Sequence, residues 1–291
     1  MRNQYVRIKY VAYLRQANIH PCRFLFFEVV MTDPYKVTLE NLRFALDRLT
    51  KAVPPAEFVE ISEKLPGWRF KEQLPEQAVV VKLARLLSAL QAAKILLDSG
   101  LVLDVGASMR IFDEMVEDVL FVLGSLGHEG TTSQHERFLK EFWQEEFDVL
   151  ETAKLTNLDR DRVPRKKIRT FNSKLQGVNI DSEARKNVQE VLGKIYSGYV
   201  HGSAAHTMEI YGGENPRFNV FEMKFTPPWN TQAEDLKHYF HRAVCIFGIV
   251  AGAFSDQLLL GKLLILRTQL EKAWAMKFDD LAFPPQQSQN L

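Results

Sequence analysis

The sequence predicts an all-α protein, a bundle of long helices with one irregular insertion near residues 211–229. Three observations predict it. Apolar residues recur three to four positions apart along most of the chain. No strand–helix–strand alternation and no sustained heptad run appears, which leaves a packed bundle rather than an α/β sheet or a coiled coil. The composition, 46% hydrophobic and 25% charged over 291 residues, is that of a globular protein able to bury a sizeable core.

Residues 1–30 carry the apolar run Phe24-Leu-Phe-Phe-Glu-Val-Val30, interrupted by Glu28 and too short to span a membrane. They are read as an N-terminal extension of doubtful structure. Two starts stay open, Met1 and Met31, because the pattern becomes regular only from Thr32. A helical segment, 31–74, follows. Leu39, Leu42, Phe44, Ala45, Leu46 and Leu49 mark its main helix, ended by Pro54-Pro55. Residues 57–64 are read as a shorter amphipathic piece closed by Pro66-Gly67.

The main bundle is expected over 75–278. Pro75–Asp98 opens on a helix-compatible proline and stops at Gly100. Asp104–Leu126 carries the stripe Met109, Phe112, Val116, Val119, Leu120 and Leu123. Thr131–Leu158 is expected to be capped by Ser133 with Glu136. Asp159–Lys174 breaks the period and reads as a basic connector with a helical turn near Ile168–Leu175. A helix capped by Asp181 or Ser182 runs to about Ile210. Asn219–Phe225 alternates like a short strand. The last helix, from Thr231 to about Lys277, is long enough that a break near Ser255–Gln257 or near Gly261 is expected. Residues 279–291 read as a disordered tail.

Charge and cysteines exclude more than they suggest. A net charge of +1 gives no global field for nucleic acid or an anionic membrane. Cys22 and Cys245 fit no metal-ligand or redox spacing, so reduced thiols in a cytoplasmic protein are expected, with no cofactor and no membrane partner. Dinucleotide and phosphate-loop glycine motifs, HExxH and GxSxG are absent.

Four groups of residues carry possible chemistry. Arg110 and Glu114 are i,i+4 on a helix, so an ion pair is easy, set either in a boundary with a solvated outer face or turned inward to fix a ligand. Tyr196-Ser-Gly-Tyr-Val-His-Gly-Ser-Ala-Ala-His206 packs two tyrosines and two histidines into eleven residues. Tyr196 and Tyr199 are either a buried aromatic face or the wall of a site in which His201 is a general acid/base. On one continuous helix Tyr196, Tyr199, Ser203 and His206 run along one side and His201 falls on another, so the two histidines do not share a face. His238 and His241 form an i,i+3 pair, a surface or boundary pair by default and a metal site only with further ligands. Arg165, Lys166, Lys167 and Arg169 lie in the basic connector, either solvated or in contact with an RNA backbone. Gly248 and Gly252 share a face on which another helix, from this chain or a partner, can approach; a homo-oligomer stays open.

Together the motifs resemble a bacterial all-helical family of unknown function that is similar to the HEPN-like helical domains in architecture. The residues carrying the resemblance are Leu96-Leu97-Asp98-Ser99-Gly100, Arg110 with Glu114, and Tyr196, Tyr199, Val200, His201, covering about 75–255. The resemblance implies a metal-independent ribonuclease of a defence or toxin system, with His201 as acid/base. The chain departs from the Arg-x4-6-His motif of catalytic HEPN ribonucleases: Arg185 stands sixteen residues before His201. Arg110, from another helix, would have to supply the cation. The alternative is a non-enzymatic binding module whose polar cluster is structural.

Overall fold

The computed structural model describes residues 33–59, 67–127, 130–144, 160–174, 195–221 and 223–276. The expectations for 1–30, for 145–159, for the helix start near Asp181 and for the tail lie outside these residues. The chain is predominantly helical, with two small antiparallel hairpins.

Helix α1 (Pro34–Thr50) starts at Asp33, whose carboxylate accepts the Lys36 N–H at 3.1 Å, and Pro34 fills a position with no amide to satisfy. Residues 57–64 do not open as a helix. Glu57–Val59 (β1) pairs with Gly67–Arg69 (β2), setting Phe58 opposite Trp68. Aromatic and β-branched side chains after two prolines favour the extended form.

Helices α2 (Pro75–Asp98) and α3 (Val102–Ser125) pack along most of their lengths as the centre of the bundle. Gly100 joins them at φ +78°, while the Leu101 N–H returns to the Leu96 carbonyl at 2.9 Å. A side chain here would be strained and would press the Met223 backbone at 3.1 Å, so this stop requires glycine.

Helix α4 (Ser133–Trp143) is capped by Thr132 rather than Ser133. His135 takes the place expected of Glu136, its Nδ1 accepting the Thr132 N–H at 3.1 Å. The basic connector contains a full helix, α5 (Arg165–Lys174), whose Ile168 and Asn172 are buried. The expected helix to Ile210 breaks. Residues 195–200 are helical (α6), Gly202 turns left-handed at φ +60°, and a short helix α7 (Ala204–Thr207) with one 3-10 turn (Met208–Ile210) follows. The strand expected over Asn219–Phe225 is replaced by a hairpin of Tyr211–Gly212 (β3) and Arg217–Phe218 (β4).

The long last helix divides at Phe254–Asp256 into α8 (Pro227–Ala253) and α9 (Gln257–Ala273). Asp256 caps α9 through the Leu259 N–H at 3.0 Å and pairs with Arg48 at the end of α1. Helix α8 lies against α1, α2, α3 and α9, and Phe240, Phe247 and Leu236 fill the core with Phe112, Phe121, Leu83 and Leu42. Gly248 and Gly252 face Leu260 of α9, where an added methyl would make ordinary contact, so the pair accepts a helix of its own chain. Among the described residues no helix is long and apolar enough to cross a membrane.

Candidate functional site

The α3 sequence Arg110-Ile-Phe-Asp-Glu-Met-Val-Glu-Asp118 places charge at positions whose helical neighbours are core. The expected solvated outer face is buried: Asp113 and Glu117 are 6% exposed and Asp118 is 1% exposed. Such burial costs several kcal/mol per ion unless each is paired, and each is. Arg110 Nη2 meets Glu114 Oε1 at 2.7 Å. Arg169 Nε donates to Glu117 Oε1 at 2.7 Å, and Lys82 Nζ from α2 meets Asp118 Oδ2 at 2.7 Å. Arg165 reaches Asp118 and lies 3.7 Å from Glu114. Burial still raises the Glu117 carboxyl above its ordinary value, against the pull of Arg169, Arg165 and Arg110.

This pairing divides the residues expected to meet RNA. Arg165 and Arg169 turn toward α3 and hold its acids, while Lys166 and Lys167 are exposed on the opposite side of α5. Asn172 Nδ2 donates to the Glu117 carbonyl at 2.8 Å and fixes α5 on α3.

One turn before Arg110, Gly106 makes room for Tyr199. A Cβ at Gly106 would stand 2.4 Å from Tyr199 Cγ. The Tyr199 hydroxyl donates to Glu209 at 2.9 Å, and Tyr196, 6% exposed, donates to Asp235 at 2.9 Å. The two rings lie 6.0 Å apart, and Tyr196 meets Tyr239 edge-on at 5.8 Å. Tyr239 in turn donates to Asp113 at 2.7 Å, and Arg242 binds the other Asp113 oxygen at 2.7 Å. Burial, then the neighbouring carboxylates Glu209 and Asp235, push the Tyr199 and Tyr196 hydroxyls far up. They stay protonated donors at neutral pH.

His201 stands apart. It is exposed at the end of α6, its N–H donates to the Ser197 carbonyl at 3.1 Å, and no hydrogen bond or ion pair joins its ring to Arg110, Glu114 or either tyrosine among the described residues. The two histidines lie apart, and His206 stays on the side of Tyr199 and Ser203 despite the break at Gly202. His206 folds back to hydrogen-bond Ser203 at 2.6 Å, and its ring lies 4.3 Å from that of Tyr199.

His238 is exposed and His241 is buried, directed to Glu271 at 2.9 Å. Among the described residues no three His, Cys, Asp or Glu side chains are arranged to hold a metal ion. An open cleft of about 400 Å³ between α1, α2 and α8 is lined by Tyr35, Lys94, Asp98, Trp229, Glu234 and Lys237, among others. None of the expected site residues lines it.

Sequence reasoning missed Asp113, Asp118, Tyr239, Arg242, Asp235 and Glu209. A usable signal was present: the doubled acids Asp113-Glu114 and Glu117-Asp118 fall a turn apart beside the apolar stripe, and Tyr239 and Arg242 share a face three apart. Their partners were not readable, because the pairs join residues 10 to 129 positions apart in sequence, across turns and between separate helices. Comparison with protein-family models, curated proteins and solved structures finds no match for the chain.

Proposed function

We propose that the chain is a non-enzymatic helical binding module, in which the Arg110–Glu114 pair and, separately, Tyr196 and Tyr199 act as structural braces. The observation that carries this reading is where the polar ends go. Both tyrosine hydroxyls and one edge of Arg110 are committed to carboxylates of the chain itself, and the acid/base candidate His201 is outside that network. A ribonuclease of the HEPN-like kind would need His201 and a cation on one phosphate. Here Arg110 serves Glu114, which weighs against its serving a phosphate.

A contact surface is offered elsewhere. Tyr211, Phe218, Phe221 and Phe225 are 43%, 50%, 77% and 80% exposed in and after the β3–β4 hairpin. Large aromatics are enriched where proteins meet partners, and grouped exposure of this kind is uncommon on a surface with no partner. The test is RNA cleavage by purified protein, wild type against His201→Ala, with Tyr199→Phe followed by thermal unfolding. The expected result is no cleavage above background in either protein and a lowered unfolding midpoint for Tyr199→Phe. Cleavage by wild type that is lost in His201→Ala overturns the reading.

A further inference from the structure

A second polar cluster lies on the opposite side of α8 from the tyrosines, at its seam with α9. Cys245 and His241 are one turn apart on α8, and Cys245 Sγ is 3.9 Å from His241 Nδ1. His241 Nε2 is 2.9 Å from Glu271 Oε1 of α9, and Arg267 Nε lies 3.3 Å from the same oxygen. A carboxylate on Nε2 fixes the proton there, leaving the Nδ1 lone pair directed at the thiol. A nucleophile, a base and an orienting acid thus stand in order. Cys245 is only half-buried as a residue, which leaves it within reach of a molecule no larger than a hydroperoxide.

We propose that Cys245 is a nucleophilic thiol served by His241 as general base, at which a small neutral hydroperoxide oxidises the sulfur. His241 Nδ1 takes the thiol proton as Sγ attacks one peroxide oxygen. The S–O bond forms, the O–O bond breaks, and the proton passes to the departing oxygen. The sulfur, oxidised by two electrons, becomes a sulfenic acid, and the peroxide leaves reduced as water or an alcohol. Arg267, paired with Glu271 and close to the sulfur, is a cation at hand to offset negative charge as the O–O bond breaks.

One feature selects this chemistry over acyl transfer. Cys245 lies in mid-helix, where the amides that would hold an oxyanion are engaged in the α8 ladder. Burial raises the thiol and lowers His241, so at neutral pH the pair is thiol and neutral imidazole, and the proton moves during the attack. Among the described residues, the charged and titratable groups facing the pair are His238 and Arg242 on α8 and Arg267 and Glu271 on α9.

The test is hydrogen peroxide treatment of the full chain with a sulfenic-acid trap, read by mass spectrometry on the Cys245 peptide so that Cys22 does not interfere. His241→Gln is expected to slow trapping at Cys245 by at least about tenfold at pH 7. The wild-type rate should level off at neutral pH, where that of His241→Gln keeps rising into the alkaline range. Glu271→Gln, which keeps the side-chain size, should slow trapping less and guards against a folding defect in His241→Gln. Equal rates and equal pH profiles for wild type and both variants overturn the proposal.

Discussion

Gly106→Ala tests whether Tyr199 is locked onto α3. The new methyl would stand 2.4, 2.5 and 2.9 Å from Tyr199 Cγ, Cδ2 and Cδ1. These atoms are the root of a ring held at its far end by Glu209, so it cannot swing away and keep the 2.9 Å hydrogen bond. Overpacking of this kind costs about 2–3 kcal/mol, near the top of its usual span. Alanine returns roughly 1 kcal/mol by its better helix propensity. The net expectation is a loss of about 1–2 kcal/mol in urea unfolding followed by circular dichroism. In a Tyr199→Ala background the clash is gone, and Gly106→Ala should stabilise by about 1 kcal/mol. The sign must therefore reverse between the two backgrounds. Stabilisation by Gly106→Ala in the presence of Tyr199 would refute the packing argument.

Asp113→Ala leaves the Tyr239 hydroxyl and the Arg242 guanidinium without their acceptor. Breaking a buried pair costs about 3–5 kcal/mol, discounted to about 2–3 because the Arg242 side chain is 38% exposed; an unchanged urea midpoint would contradict this. His135, 1% exposed, has its imidazole lowered by burial, so the unfolded chain binds the proton more tightly. Its contribution is complete above about pH 6.5 and falls away as pH drops through the unfolded and then the folded value. His135→Gln keeps an acceptor for the Thr132 N–H and should flatten the decline in unfolding free energy between about pH 7 and 5.

Helices bounded by local chemistry were legible. Pro75 and Gly100 act within a few residues of themselves, and the structure places helix ends there. Reading 57–64 as helix failed because apolar spacing over so few residues fits either period, and pairing with Gly67–Arg69 decided it. At 195–210 the apolar spacing suggested one helix, but Gly202 took the left-handed conformation that ends one. Across that break His201 is exposed and His206 stays against Tyr199.

The sequence by itself determined the all-α class, the helix limits at Pro75 and Gly100, and the i,i+4 pairing of Arg110 with Glu114. Each depends on interactions within about one helical turn. Only the tertiary structure decided the fate of the charges. Whether Asp113, Glu117 and Asp118 face water depends on Lys82, Arg165, Arg169 and Arg242, which arrive from three other helices. A carboxylate beside an apolar stripe has the same local pattern in both cases. It is buried here because a cation from another helix offsets the loss of its water.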